Sequence, residues 1–191
     1  MLGARPVAFN TVRFSEKILQ KHGISTQTID LNKVLVVAQC EESFQETAIS
    51  AKEAEIRAYG RIPDYIDTSK IVKQAKLCLA MEKFVNDLDC QASTVQCWNS
   101  LNLNYGCAAC LGMSMMGDKG KPSACESDVT GALSMLAANG PTSLMDWNNN
   151  IRDDRNSCIS LHCSNFPKGF FKITKWKLAI WTCLEVFWAM T

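Results

Sequence analysis

Residues 6–31, with the sequence PVAFNTVRFSEKILQKHGISTQTIDL, decide the predicted fold because strand and helix patterns alternate within them. The first five of these residues, PVAFN (6–10), are typical of a short strand. The helix pattern that follows ends at His22 and Gly23, where a cationic side chain and a glycine favour a helix C-terminus. TQTIDL (26–31) alternates polar and apolar residues, as a second strand does. This β-α-β order predicts a parallel sheet.

The segments that follow continue the alternation of helices and strands. Residues 33–58 have helical patterning, and residues 67–89 form the clearest amphipathic helix, which one of residues 67–69 can cap. CQASTVQCW (90–98) indicates a buried strand. The sequence therefore predicts an α/β fold, a three-layer Rossmann-like domain with a mostly parallel sheet and helices on both faces.

A domain boundary is predicted at Gly140–Pro141, where two helix-breaking residues follow a helix pattern. Residues 1–140 would form the α/β domain, and residues 141–191 would begin a truncated C-terminal domain rich in β-structure. Beyond the boundary, TSLMDW (142–147) and CISLHC (158–163) have strand patterns.

The net charge excludes several classes of partner. Twenty basic and nineteen acidic residues give +1, so the chain has no global field that would attract nucleic acid or an anionic membrane. No basic stripe with interleaved aromatic residues is present, which argues against nucleic-acid binding. With 47% hydrophobic and 20% charged residues, the composition is that of a globular protein.

Ten cysteines raise the question of disulfides, metal and redox chemistry. The first residues of the chain lack the apolar stretch of a secretory signal, which predicts a cytoplasmic chain with reduced thiols. Cys107 and Cys110 form a CxxC pattern, but no second pair completes a zinc site. A redox dithiol is the alternative, and burial in the core is the simpler interpretation.

Two features that precede the candidate site have simple interpretations. The stripe Met113, Met115 and Met116 is typical of core packing. The glycine- and lysine-rich segment GDKGK (117–121) lacks the strand-GxxxxGK[ST]-helix order of a phosphate-binding loop. We therefore predict a surface loop there, which could cover a site.

Three short runs in the last third of the chain contain the candidate site. They are ACESDVTGAL (124–133), LMDWNNN (144–150) and LHCSNFP (161–167). These runs set Glu126, Asp146 and His162 among small, apolar and amide residues. Two carboxylates and an imidazole are ligands that a divalent metal such as Mn²⁺ accepts, with room for water or substrate oxygens.

The same residues also have purely structural interpretations. Glu126 could cap a helix that starts near it, Asp146 could end a strand, and His162 could be a buried, hydrogen-bonded histidine. Spacing alone does not separate these roles from metal binding, because no regular motif of the CxxC or HExxH kind joins them.

The amino-acid sequence of these runs resembles that of the L-fucose isomerase-like family, which is related to L-arabinose isomerase. Four segments carry the resemblance, up to about Phe171: ARPVAFNTVRFSEK (4–17), QCWNSLNLNYGCAACLGMSMMGDKGKPSACESDVTGAL (96–133), MDWNNN (145–150) and HCSNFPKGFF (162–171). The resemblance implies an aldose–ketose isomerase, an intramolecular oxidoreductase that uses Mn²⁺ or a similar divalent metal. Its expected substrate is L-fucose, D-arabinose or a similar sugar, converted through an ene-diol.

The resemblance also implies roles for individual residues. Glu126 and Asp146 match the catalytic carboxylates and, with His162, the metal ligands. In fucose isomerases the histidine ligand comes later in the chain, so His162 follows the arabinose isomerase pattern. Trp147 and the amides Asn148, Asn149 and Asn150 would contact the sugar hydroxyls. The alternative is a non-catalytic α/β module that binds sugar or is merely structural.

The resemblance further implies a longer, homo-oligomeric protein with additional domains, of which this chain would be a fragment that is inactive alone. The sequence stops resembling the family abruptly at about residue 172. Because another reading frame from Lys175 can encode the expected glycine-spaced pattern, we interpret this tail as frameshifted. The alternative, a membrane anchor, conflicts with Lys175, Lys177 and Glu185, which interrupt a segment barely long enough to span.

Overall fold

A computed structural model of the chain describes residues 1–137, 150–151, 158–159 and 168. Within these residues the α-helices are α1 (Glu16–Lys21), α2 (Leu31–Gln39), α3 (Glu46–Tyr59), α4 (Thr68–Asp87), α5 (Ser100–Asn104), α6 (Cys110–Asp118) and α7 (Val129–Ala137). Short 3-10 helices cover Asn10–Val12 and Glu41–Ser43. The strands are β1 (Ser93–Thr94), β2 (Ser123–Ala124), β3 (Asn150–Ile151) and β4 (Cys158–Ile159).

Parallel backbone pairing joins segments that are far apart in the sequence. β1 pairs with β2 in parallel, and Leu2 forms isolated parallel bridges with both Ile29 and Val95. Leu2 N donates to Thr94 O at 2.8 Å, and Val95 N donates to Ala124 O at 2.9 Å. The order across this ladder is therefore Ile29, Leu2, β1 and β2. The chain is mixed α/β with a small parallel sheet, in agreement with the predicted fold class and pairing direction.

Helix α4 is the central helix of the described core. Its N-terminus is capped by Asp67, whose carboxylate accepts a hydrogen bond from Ser69 N at 2.7 Å. Leu77 and Met81 are fully buried against α2 and the strands, whereas Cys78 faces a second cluster beside α3. Burial of one such apolar side chain stabilises a fold by about 1.5–3 kcal/mol. The amphipathic helix and its cap were thus predicted correctly.

Three apolar clusters form the core of the described part of the chain. The largest contains Leu2 and Val95 together with α2, α4 and α6, and a second joins α3, α4 and α6. A third cluster packs Ala124 of β2 against Ala132 and Met135 of α7. The methionine stripe of α6 is buried in the first two clusters, which confirms its predicted role in core packing.

A cluster of alternating charges ties α3 and α4 to the segment after α6. The buried Lys52 ammonium lies 2.7 Å from Glu55 Oε2 and 2.8 Å from Glu82 Oε1. Lys119 Nζ lies 2.9 Å from the other Glu55 oxygen and 2.9 Å from Glu82 Oε1. Burial raises the pKa of Glu55, but the two ammonium groups outweigh this effect and hold it below its ordinary value. The surface loop predicted over GDKGK is correct only for its later residues, because Gly117 and Asp118 belong to α6. Lys119 anchors the loop to α3 and α4.

The prediction of a strand over residues 6–10 is wrong. Residues 7–8 form a turn, a 3-10 helix follows at Asn10–Val12, and the parallel bridge lies earlier, at Leu2. The Arg5 guanidinium donates to the carbonyl oxygens of Pro6 and Phe9, both at 3.2 Å, and these bonds hold the chain in a compact turn. The helix that follows is shorter than predicted, because Ser15 caps it immediately before Glu16.

The later part of the chain is described only in pieces. β3 and β4 pair in an antiparallel manner, with Asn150 opposite Ile159. β4 falls within the predicted CISLHC strand, whereas TSLMDW and the boundary at Gly140–Pro141 lie outside the described residues. Among the described helices, none combines the length and apolar character needed to cross a membrane.

Replacement of Gly3 by alanine tests the ladder between the N-terminus and β1. Gly3 has φ +94°, and an added Cβ would lie 2.5 Å from Gln96 Cβ. We expect Gly3→Ala to lower the free energy of unfolding by about 2–4 kcal/mol, from backbone strain and the clash together. The measurement is urea denaturation followed by circular dichroism.

Gly23→Ala is the matched control for backbone strain. Gly23 has φ +74° but nothing within 4 Å of the added Cβ, so the expected loss is only about 1 kcal/mol. Equal losses in the two variants would show that Gly3 and Gln96 do not pack as described.

Candidate functional site

The turn between β2 and α7 contains the candidate residue Glu126. β2 ends at Ala124 and α7 begins at Val129, so Glu126 lies immediately beyond the carboxyl end of a parallel strand. Its side chain is buried, with 3% relative exposure, and the adjacent Cys125 and Ser127 are fully buried. A carboxylate is rarely buried to this extent unless its charge is compensated by a cation or by hydrogen bonds.

The backbone of this turn is left-handed at two consecutive residues that are not glycine. Glu126 has φ 55° and Ser127 has φ 60°. Such a conformation costs a residue with a side chain about 1–2 kcal/mol, and it is retained where surrounding contacts impose it. The turn therefore directs the chain sharply from the strand into the helix, with Glu126 at its first strained position.

The cap of α7 is Asp128 rather than Glu126. Asp128 Oδ1 accepts hydrogen bonds from Gly131 N and from Thr130 Oγ1, both at 2.8 Å. The prediction that the helix starts near Glu126 is correct only to within a few residues, because the left-handed turn intervenes. The interpretation of Glu126 as the cap is therefore wrong, because Asp128 occupies the capping position.

Ser127 fixes the turn against the rest of the sheet. Its N–H donates to Val95 O at 3.1 Å, and its hydroxyl donates to Ala4 O at 3.1 Å. Ala4 N in turn donates to the side-chain oxygen Oε1 of Gln96 at 2.9 Å. The segments that follow Leu2, β1 and β2 therefore hold one another around Glu126.

Two thiols lie next to the Glu126 carboxylate. The backbone N–H of Glu126 donates to Cys97 Sγ at 3.3 Å, across the gap between the ends of β1 and β2. The Sγ atoms of Cys97 and Cys125 and a carboxylate oxygen of Glu126 all lie within 4.8 Å of one another. All three residues are buried, and neither cysteine forms a disulfide.

These donors decide which metals the described part of the site fits. The Glu126 carboxylate is a ligand that Mn²⁺ accepts, so its placement is compatible with the predicted cofactor. The two sulfur atoms suit a thiophilic ion such as Zn²⁺ better than Mn²⁺. A Mn²⁺ site would therefore need its further oxygen and nitrogen ligands from elsewhere in the chain.

Most of the other predicted site residues lie outside the described part of the chain. This applies to Asp146 and His162 as ligands, and to Trp147, Asn148 and Asn149 as sugar contacts. Their convergence with Glu126 stays a prediction.

Asn150, the remaining predicted sugar contact, is described only through its backbone. It lies in β3, opposite Ile159 of β4.

The CxxC cysteines behave as core residues. Cys107 and Cys110 are both buried around the start of α6. Burial raises the pKa of Cys107 to about 11, although Lys70 and Lys73 oppose this effect. A reactive redox thiol requires a lowered pKa, so the structure favours the packing role.

The approach of Cys97 and Cys125 was missed by the sequence analysis. The two cysteines are separated in sequence by α5 and α6, and only the parallel pairing of β1 with β2 brings them together. The one sequence signal was that Cys97 lies near the end of the strand predicted over residues 90–98, whereas no strand was predicted before Cys125. Carboxyl ends of adjacent parallel strands meet at the same edge of a sheet.

A comparison with curated proteins found similarity to a sugar isomerase. The chain is 28% identical over 101 residues to a protein of Alkalicoccus urumqiensis named sulfoquinovose isomerase. The match covers 51% of this chain but only 23% of that relative. No family model matches the chain. The similarity is thus to part of a longer isomerase.

Replacement of Asp128 tests the helix cap that ends the strained turn. We expect Asp128→Ala to lower the free energy of unfolding by about 1 kcal/mol, because Gly131 N loses its acceptor. Asp128→Asn keeps an acceptor at the same position and should stay close to the wild type. Urea denaturation of both variants provides the measurement, and an unchanged stability of Asp128→Ala would contradict the cap.

Proposed function

We propose that this chain carries part of the active site of a metal-dependent aldose–ketose isomerase of the L-fucose isomerase-like family. The observation that carries the proposal is the buried carboxylate of Glu126, held beyond the end of a parallel strand by a strained turn. The similarity to a protein named as a sugar isomerase supports the reaction class. The match covers only 23% of the relative, so the activity of a whole isomerase is itself part of the proposal.

The proposed architecture is a three-layer Rossmann-like domain over residues 1–140, followed by the start of a second domain at 141–191. The order Ile29, Leu2, β1, β2 supports it, since both neighbours of Leu2 in the ladder come later in the chain and the order therefore reverses at Leu2. In open parallel sheets, ligands bind outside the carboxyl ends of the strands where the order reverses. Glu126 lies at this edge, one strand away from the reversal.

The proposed metal ligands are Glu126, Asp146 and His162, for Mn²⁺ or a similar divalent ion. A bound ion of this kind polarises carbonyl and hydroxyl oxygens of the sugar. Two carboxylates would offset most of its charge, and the neutral imidazole would leave room for substrate oxygens.

The proton transfer is assigned to the chain's own carboxylates. One of Glu126 and Asp146 would take the proton from C2 of the aldose and return it to C1, through an ene-diol. A second proton would move from the C2 hydroxyl to the oxygen on C1, so the sugar is isomerised without net gain or loss of protons. The burial of Glu126 would keep bulk water away from this exchange.

The proposed substrate is a polyhydroxylated aldose such as L-fucose or D-arabinose. Trp147 and the amides of Asn148, Asn149 and Asn150 would bind its hydroxyl groups. The name of the matched relative adds sulfoquinovose to the sugars worth testing. The alternative is a sugar-binding or structural α/β module, in which Glu126 would hold no metal.

The decisive experiment is a titration of the 191-residue chain with Mn²⁺, in which electron paramagnetic resonance measures the unbound ion. We expect binding by the wild type and a loss of at least about tenfold in affinity for Glu126→Gln, which removes the charge but keeps the shape. Asp128→Asn is the matched control, because it removes a nearby carboxylate charge while keeping the helix cap. It should bind Mn²⁺ nearly as well as the wild type.

Turnover is assayed in the same samples with L-fucose, D-arabinose, L-arabinose and sulfoquinovose. We expect Mn²⁺ binding without appreciable isomerisation, because the chain is proposed to carry only part of the active site. Ligands misplaced by about 1 Å can already reduce a rate on the order of a hundredfold. Equal Mn²⁺ affinity in the wild type and Glu126→Gln would refute the metal role of Glu126. An absence of binding by the wild type would favour the structural module.

A further inference from the structure

We propose that Cys97, Cys125 and Glu126 form a binding site for a thiophilic divalent cation, such as Zn²⁺. This inference goes beyond the proposed isomerase, because it rests on two thiols that the proposed reaction does not use. Two sulfur atoms and one carboxylate oxygen, all within 4.8 Å of one another, are three donors of the kind that Zn²⁺ binds.

The separations are close to those of a loaded site. With Zn–S near 2.3 Å and Zn–O near 2.1 Å, donors around a tetrahedral ion are separated by roughly 3.5–3.8 Å. The atoms within 4.8 Å of one another therefore need to approach by about 1.3 Å at most, which is within the range of small side-chain rotations. Three protein donors leave one tetrahedral position for a further ligand.

The backbone of the turn contacts one of the two donor sulfur atoms. The N–H of Glu126 donates to Cys97 Sγ at 3.3 Å. When the ion binds, the two thiols release their protons to solvent and the sulfur atoms become anionic ligands. The N–H would then orient the ligating sulfur.

The fold holds the three donors close together. Cys97 follows β1, Cys125 follows β2, and the parallel pairing of these strands holds the two ends side by side. Burial of all three residues limits competition from water. A second oxygen donor on the same turn, Asp128, is occupied by its hydrogen bonds to Gly131 N and Thr130.

Glu126 is shared with the proposed Mn²⁺ site, so the two ions would compete. Zn²⁺ binds nitrogen, oxygen and sulfur ligands more tightly than Mn²⁺, and the thiols increase this preference. The two proposals nevertheless depend on different partners: Cys97 and Cys125 for the thiophilic ion, Asp146 and His162 for Mn²⁺. Variants of these partners therefore distinguish a failure of one proposal from a failure of the other.

The experiment is a titration of the reduced, metal-free 191-residue chain with Cd²⁺, whose thiolate complexes absorb in the ultraviolet. We expect saturable absorption by the wild type that Cys97→Ser and Cys125→Ser each reduce. Competition with a chromophoric chelator then measures the Zn²⁺ affinity, which should fall by at least about tenfold in both variants. Cys107→Ser is the matched control, since Cys107 is an equally buried thiol outside the cluster.

A second measurement on the wild type covers the case in which a buried serine prevents folding. Added Zn²⁺ should protect Cys97 and Cys125 from alkylation, as judged by peptide mass spectrometry, and leave the exposed Cys40 reactive. Equal Cd²⁺ absorption in Cys107→Ser and both cluster variants would overturn the proposal. So would a failure of Zn²⁺ to slow alkylation at Cys97 and Cys125 in the wild type.

Discussion

The parallel pairing of three distant segments is the constraint on which the rest of the structure depends. Backbone hydrogen bonds connect Leu2 with β1, and β1 with β2, so residues 2, 93–95 and 123–124 share one ladder. Parallel neighbours cannot be joined by a tight turn, and the connecting chain must form the helices that cover the sheet. Along the chain, α2 and α4 lie between Leu2 and β1, and α6 lies between β1 and β2. All three helices bury apolar side chains in the largest cluster. The ladder thus fixes both the core and the edge at which the candidate site lies.

The turn that places Glu126 at this edge has a strained backbone, which costs conformational energy. Glu126 and Ser127 are both left-handed, at about 1–2 kcal/mol each, and the chain retains this strain through contacts on every side. Ser127 is bonded to Val95 and Ala4, while Asp128 caps the helix that follows. Strained backbone conformations are concentrated at functional sites, where surrounding contacts maintain them. A relaxed turn would point the side chain in another direction. The strain therefore supports a functional rather than a structural role for Glu126.

Local signals in the sequence predicted the helices well and the strands less well. The Asp67 cap with its amphipathic pattern and the histidine–glycine end of α1 are encoded within a few residues, and the structure confirms them. The strand predicted over residues 6–10 failed because Arg5 binds carbonyl oxygens of the turn, an interaction that hydrophobic pattern does not reveal. The approach of Cys97 to Cys125 depends on pairing between remote segments, so no local pattern could predict it. The residues around Glu126 in the sequence identified it as a candidate site residue, but they did not predict its left-handed backbone conformation.

The central claim is that Glu126 belongs to a metal site shared with Asp146 and His162. A crystal structure of the chain grown with Mn²⁺, with anomalous scattering used to locate the ion, tests this claim most directly. The account predicts one strong anomalous peak within about 2.0–2.6 Å of a Glu126 oxygen, an Asp146 oxygen and a ring nitrogen of His162. A Mn²⁺ peak away from Glu126, or Asp146 and His162 on a face of the fold that cannot reach it, would contradict the account.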